Sequence, residues 1–189
     1  EANDRFCQGH TVMQDLELCE KYGFDCIDIQ SECLNRDLEK GIVTIEELGA
    51  WFATHHLKML SYNALCFFNM KQTAEEKQAV MDELDEIIRR CNILGCKMIV
   101  VVPSQDMKAR GLQPTRKEIR EDAVAVLKEM VKKVEPHGIK LSLEFCGAPD
   151  MTINRFEDAY AIVEAVDSPL VGVTLDQYHF YAMGSGWES

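Results

Sequence analysis

Two short apolar runs, one repeat apart, constrain this chain more than anything else in it. KLSLEFC from Lys140 and VGVTLDQYHF from Val171 flank a stretch with helical patterning. Alternate side chains of a strand face opposite sides. Leu141, Leu143 and Phe145 therefore share one face, as do Val171, Val173 and Leu175, while Ser142, Glu144, Thr174 and Asp176 take the other. Glu144 and Asp176 stand 32 residues apart, the length of one strand–helix–strand repeat. Both carboxylates are expected near the C-terminal ends of neighbouring parallel strands. Two acids so placed repel each other unless a positive charge lies between them, and a divalent cation is the natural candidate.

The rest of the chain repeats that rhythm. Helical patterns at Val12–Tyr22, from Thr44 to His55, from Thr73 to Ile93 and from Thr115 to Gly138 alternate with strand patterns at Cys26–Gln30, Met59–Leu65 and Met98–Val102. Thr44/Glu47, Thr73/Glu76 and Thr115/Glu118 have capping-box spacing, and Asn154 with Glu157 is expected to cap the helix before Val171. Gly23, Gly95 and Gly138 close helices, and Ala182–Ser189 reads as a loop and the start of another helix. Five strands alternating with five helices predict a parallel α/β fold. In a doubly wound sheet both strand faces are apolar, yet here one face carries Asp28, Gln30, Ser61, Asn63, Ser142, Glu144, Thr174 and Asp176. No G-x-G-x-x-G follows any strand. The pattern predicts a (β/α) TIM barrel whose polar face is the lumen. A complete barrel has eight strands in about 250 residues, so the expectation for 1–189 is a single partial barrel domain lacking the first strand and the last two or more.

Composition narrows the function classes. With 20 basic and 32 acidic residues the net charge is −12, a surface that repels nucleic acid and anionic membranes. No apolar run approaches the roughly 20 residues of a membrane span, and the polar start EANDRFCQGH has no signal-peptide pattern. The eight cysteines contain no C-x-x-C pair. Cys19, Cys26, Cys91 and Cys146 fall within apolar patterns, as small buried hydrophobes, and reduced thiols in a cytoplasmic protein are expected.

Four stretches carry a family resemblance: DLELCEKYG from Asp15, YNALCFFN from Tyr62, LEFCGAP from Leu143 and LDQYHFYAMGS from Leu175. They resemble the inosose isomerases, within the sugar-phosphate isomerase/epimerase superfamily of xylose isomerase-like TIM barrels. The resemblance implies one divalent metal ion at the barrel mouth, with manganese, zinc, cobalt and magnesium all admissible, held by a Glu, an Asp, a His and a Glu on strands five to eight. Glu144 and Asp176 match the first two; the later His and Glu have no counterpart up to Ser189. It further implies an isomerase or epimerase acting on a keto-polyol or ketose through an enediolate, with Glu144 as both ligand and acid/base. His179 would be the substrate-contacting histidine, and Asn63 would reach a substrate hydroxyl. The role of Asp150, on a loop where related epimerases carry a substrate-binding Glu, is left open.

Other readings compete. A 3-dehydroshikimate dehydratase shares fold and metal set. An apurinic-site endonuclease must grip phosphates, which the −12 charge and five histidines disfavour. A truncated chain without activity is the alternative from another class; its exposed strand edges would template aggregation or a homo-oligomer. Outside the motif, His55 and His56 are expected to cap a helix C-terminus, Phe67 and Phe68 to pack internally, and the run Glu75–Glu86 to form a solvated helix face.

Overall fold

The computed structural model describes residues 9–186. Among them five strands run parallel and in sequence order: β1 (Cys26–Gln30), β2 (Lys58–Cys66), β3 (Met98–Val102), β4 (Lys140–Glu144) and β5 (Val171–Thr174). The helices are α1 (Val12–Lys21), α2 (Ser31–Glu39), α3 (Ile45–Thr54), α4 (Ala74–Leu94), α5 (Arg116–Val134), α6 (Phe156–Val166) and α7 (Gln177–Ala182), with a short 3-10 turn, Glu135–His137, after α5. The unbroken strand order is that of a barrel wall; a doubly wound sheet reverses its order at a switch point. No helix among the described residues is long and apolar enough to cross a membrane.

Register carries each face across the sheet. Tyr62, Ile99, Leu141 and Val171 form one row, and Leu65, Val101, Leu143 and Val173 the next. All but Val173 are buried, in one cluster with Val80, Leu84, Ile87 and Ile88 of α4 and Ala123, Leu127 and Met130 of α5. Burying each such large side chain contributes about 1.5–3 kcal/mol, so the helix-facing rows anchor the wall. The intervening row is Gln30, Asn63, Val100, Ser142 and Gly172. Above it Cys66 pairs with Val102, and Glu144 with Thr174. This second face is the polar lumen side expected from the alternation.

The helix ends are built as the spacing predicts. The hydroxyls of Thr44, Thr73 and Thr115 each accept the N–H three residues on, and the backbone N–H groups of the same threonines donate to the carboxylates of Glu47, Glu76 and Glu118; Thr11 and Gln14 add a fourth box. Gly95 and Gly138 follow helices with φ of 73° and 60°, the left-handed region that favours glycine.

Elsewhere the structure corrects the pattern. Helix α2 was not expected, because its inward positions are Cys33, Leu34 and Asp37, and a carboxylate interrupts the apolar stripe. Asp37 is fully buried, accepting the Val12 N–H at 2.7 Å and Arg36 Nε at 2.9 Å. Asn154 does not cap α6; its Nδ2 donates to the Ala148 carbonyl at 3.1 Å. Ser185 Oγ instead accepts the Phe156 N–H at 3.0 Å, and Glu157 Oε1 accepts the Gly186 N–H at 2.8 Å. Strand β5 stops at Thr174, leaving Leu175 45% exposed rather than facing the core, and the last helix begins at Gln177 rather than near Ala182. Cys26 is exposed on β1, against the expectation of a small buried hydrophobe. Cys19, Cys66, Cys91, Cys96 and Cys146 are free.

One buried polar node holds three rim loops together. Asn69, after β2, accepts the Ser104 N–H at 2.7 Å through Oδ1. Ser104 Oγ donates back to the Asn69 carbonyl at 2.5 Å. Thr152, after β4, donates its hydroxyl to the Ser104 carbonyl at 2.8 Å and its amide to the same oxygen at 2.9 Å. Asn69 is fully buried, so removing its side chain strands the Ser104 amide. Asn69→Ala is expected to lower the unfolding free energy by about 1–3 kcal/mol, the cost of an orphaned buried donor. Urea denaturation measures this; an unchanged midpoint would show that the node does not tie the loops.

Candidate metal centre

Glu144 ends β4 on the lumen side, next to Thr174 at the end of β5. Two residues beyond, Asp176 caps α7: its Oδ1 accepts the N–H groups of Tyr178 at 2.7 Å and His179 at 3.1 Å. Those bonds fix the carboxylate's orientation and leave Oδ2 for another partner. His179 stands in the first turn of α7, so one turn supplies two of the three groups. Ligand atoms of Glu144, Asp176 and His179 all lie within 4.8 Å of one another. His179 Nδ1 is buried and finds no hydrogen-bond partner among the described residues. A buried orphan of this kind costs about 1–3 kcal/mol and marks an acceptor or ion to be supplied from outside. Two carboxylate oxygens and an imidazole nitrogen are a donor set for a divalent cation.

The charges agree with that geometry. Glu144 is pushed up to about 6, by burial first and then by the neighbouring carboxylates of Asp176 and Asp28. Asp28, on β1, is held by a very short bond from the Ser61 hydroxyl. Ser142 and Thr174 share a hydroxyl–hydroxyl bond of 2.6 Å beneath the acids. Burial, with Glu144 second, pushes the Cys146 thiol up to about 12.

The other residues singled out by the sequence fall elsewhere. Asn63 lies in the lumen row with Gln30 and Ser142, one layer below Glu144. Asp150 is exposed on the loop after β4, where its carbonyl accepts the Asp106 N–H at 3.1 Å. With Asp106, Met107, Ile119 and Met151 it borders a separate cleft of about 860 Å³. His55 ends α3 as expected, its Nδ1 2.7 Å from the Trp51 carbonyl and its ring stacked on Trp51. His56 departs from the capping expectation and pairs with Asp25 at 2.7 Å. Phe68 is buried, whereas Phe67 is 40% exposed. The acids from Glu75 to Glu86 are exposed or half-buried, a solvated face. Sequence reasoning missed the Asn69 node and Ser185, whose partners are distant in the chain; the only local hint was a polar residue directly after Phe67-Phe68.

A parallel barrel wall with two acids and a histidine at its C-terminal rim defines an α/β-barrel class with its site where such barrels carry theirs. The chain belongs to the xylose isomerase-like TIM barrel family, whose model matches residues 16–189. It is 37% identical to an inosose isomerase of Bacillus velezensis over 182 residues, 96% of this chain and 63% of that protein. To an inosose isomerase of Bacillus subtilis it is 39% identical over 175 residues, 93% of this chain and 61% of that protein. A crystal structure of the IOLI protein with a bound zinc atom superposes with a TM-score of 0.86 at 38% identity, covering 94% of this chain and 62% of that one. The chain thus spans a little over three fifths of the length of these relatives.

The raised Glu144 value links stability to pH. The unfolded carboxyl ionises near 4.5 and the folded one near 6. Between those values the folded state holds the extra proton, so stability falls as pH rises through the window and then levels, by at most about 2 kcal/mol. The difference between wild type and Glu144→Gln in metal-free urea titrations should show that fall, and saturating Zn²⁺ should remove it. A flat difference curve would contradict the environment described for Glu144.

Proposed function

We propose that the protein is a divalent-metal-dependent isomerase of an inosose-type keto-polyol, working through an enediolate. The observation that carries this reading is the convergence of Glu144, Asp176 and the unsatisfied His179 imidazole at the C-terminal rim of a parallel barrel wall. The relatives named inosose isomerase support the substrate class, and the zinc-bound neighbour supports a metal.

Glu144 and Asp176 hold the ion, which is zinc, manganese, cobalt or magnesium by the chemistry of the donors. When bound, it supplies Lewis-acid polarisation of the carbonyl and its neighbouring hydroxyl, worth several kcal/mol of charge stabilisation. Asp176, locked by its two cap bonds, keeps one face of the site fixed. His179 donates to a substrate oxygen, which answers its orphaned nitrogen. Asn63, in the layer beneath, takes a hydroxyl on the far side of the ring. Glu144 removes the proton from the hydroxyl-bearing carbon beside the carbonyl, leaving the enediolate. It returns that proton to the former carbonyl carbon while the hydroxyl proton passes between the two oxygens. A carboxylate placed beside the reacting carbons can both take and give a proton.

The test is turnover of 2-keto-inositol with Zn²⁺ or Mn²⁺ in deuterium oxide, followed by NMR. The protein is expected to form a second inosose with deuterium at the exchanging carbon. Glu144→Gln should lower the rate about 10²–10⁴-fold, the usual contribution of a positioned acid/base, while Asp176→Asn weakens metal binding. Absence of both isomerisation and exchange with either metal would sink the proposal.

A further inference from the structure

Helix α6 begins without a cap of its own: the side chain of Arg155, at the N-cap, makes no capping bond. The first amides of a helix have no partner within it, and here the partner comes from the segment after α7. That segment turns back through Gly184, in the left-handed region at φ 64°. The Gly184 N–H bonds the Tyr181 carbonyl and the Ser185 N–H the Phe180 carbonyl, both at 3.1 Å. Ser185 and Gly186 are thereby brought to the start of α6. Ser185 Oγ accepts the Phe156 N–H at 3.0 Å, and Glu157 Oε1 accepts the Gly186 N–H at 2.8 Å. The pair of bonds is a reciprocal clasp like that of a capping box, made between residues 29 apart rather than within one turn. Burial works against a charge on Glu157, yet the Gly186 N–H and then its own N–H hold the carboxyl below the ordinary carboxylate range. The clasp is therefore charge-assisted.

What the clasp holds is α7, with His179 in its first turn. The start of that helix is pinned: Asp176 accepts the Tyr178 and His179 amides, and Thr174, just before it, pairs with Glu144. Its flank packs through Phe180 on Phe145 and Phe156, 6.5 Å and 5.7 Å between ring centres. Toward the loop leaving β4 it can come no closer, because even a Cβ at Gly147 would collide with the His179 backbone. The clasp at the far end restrains the opposite swing. A helix held only at Asp176 would pivot there, so loosening the clasp moves His179 more than Asp176. We propose that Glu157 and Ser185 are positioning residues for His179: their clasp sets the angle of α7, and with it the fit of the imidazole to a substrate oxygen. This rests on the reading above, in which His179 contacts substrate while Glu144 and Asp176 hold the ion. A misplacement of about 1 Å in a positioned group can cost about a hundredfold; here it falls on the substrate contact and spares the metal.

Steady-state turnover of 2-keto-inositol by the Zn²⁺-loaded full chain, with Zn²⁺ affinity measured alongside by calorimetry, tests this. Glu157→Ala is expected to raise KM about tenfold, the loss of one charge-assisted bond, with kcat and Zn²⁺ affinity changed less than about threefold. Glu157→Gln lacks the charge but keeps an acceptor for the Gly186 N–H, and should return KM to within about threefold of wild type. Ser185→Ala removes the other half of the clasp and should raise KM in the same way; it supplies the reading if Glu157→Ala does not fold. An unchanged KM in the alanine variants would overturn the inference and leave the functional reading standing. So would a glutamine variant no better than alanine, which assigns the effect to charge at the start of α6, or a loss of Zn²⁺ affinity as large as the rise in KM. If the wild type turns over no keto-polyol, the functional reading itself fails, and this inference with it.

Discussion

The parallel pairing of five strands in sequence order is the constraint on which the rest of this structure depends. Side-chain direction alternates along a strand, so parallel pairing without slippage extends one residue's orientation across the sheet. Leu141, Leu143 and their partners then face the helices, and Ser142 and Glu144 face the lumen with no further instruction. A shift of one residue at β4 would bury Glu144 among leucines and expose the core. The site is thus secured by hydrophobic burial on the other side of the same strand. The register does shift between Ile27 and Asp28 and between Asn63 and Leu65, but β3 to β5, which support the acids, pair without interruption.

That arrangement gathers like charges. At Glu144 burial acts first, and the neighbouring carboxylates of Asp176 and Asp28 add to it. The protein tolerates this because each acid other than Glu144 has hydrogen-bond donors: the Ser61 hydroxyl for Asp28, two amides for Asp176. A cation in the triangle reverses the local balance, since a positive charge favours the ionised carboxylate.

How much of this was legible follows from the range of each interaction. Strand faces, capping boxes at Thr44, Thr73 and Thr115, and the pairing of Glu144 with Asp176 one repeat later all depend on contacts within a few residues or on a fixed period. Helix α2 escaped because Asp37 occupies a core position, and only the tertiary contact with Val12 makes that tolerable. The capping of α6 escaped for a related reason: its partner Ser185 lies 29 residues along the chain, while the nearer Asn154 had the right chemistry and turned elsewhere. At Gly147 a Cβ would lie 2.5 Å from the His179 carbonyl oxygen, an approach with no local signature, because a glycine before Ala148-Pro149 reads as an ordinary turn residue. His179 was legible as a candidate through its motif. Its lack of a hydrogen-bond partner was visible only in three dimensions.

The Asn69–Ser104–Thr152 node joins loops to loops rather than loops to strands. The tops of β2, β3 and β4 therefore carry one tied collar instead of three independent flaps. A collar of that kind transmits a change of shape sideways: altered loop length after any one strand must be taken up on the outer side of the tie or passed to the neighbouring loops. Variation in such a rim is channelled outward, toward segments such as the one bordering the cleft at Met107 and Ile119. The surroundings of the barrel mouth can diversify there while the collar stays in place around the acids.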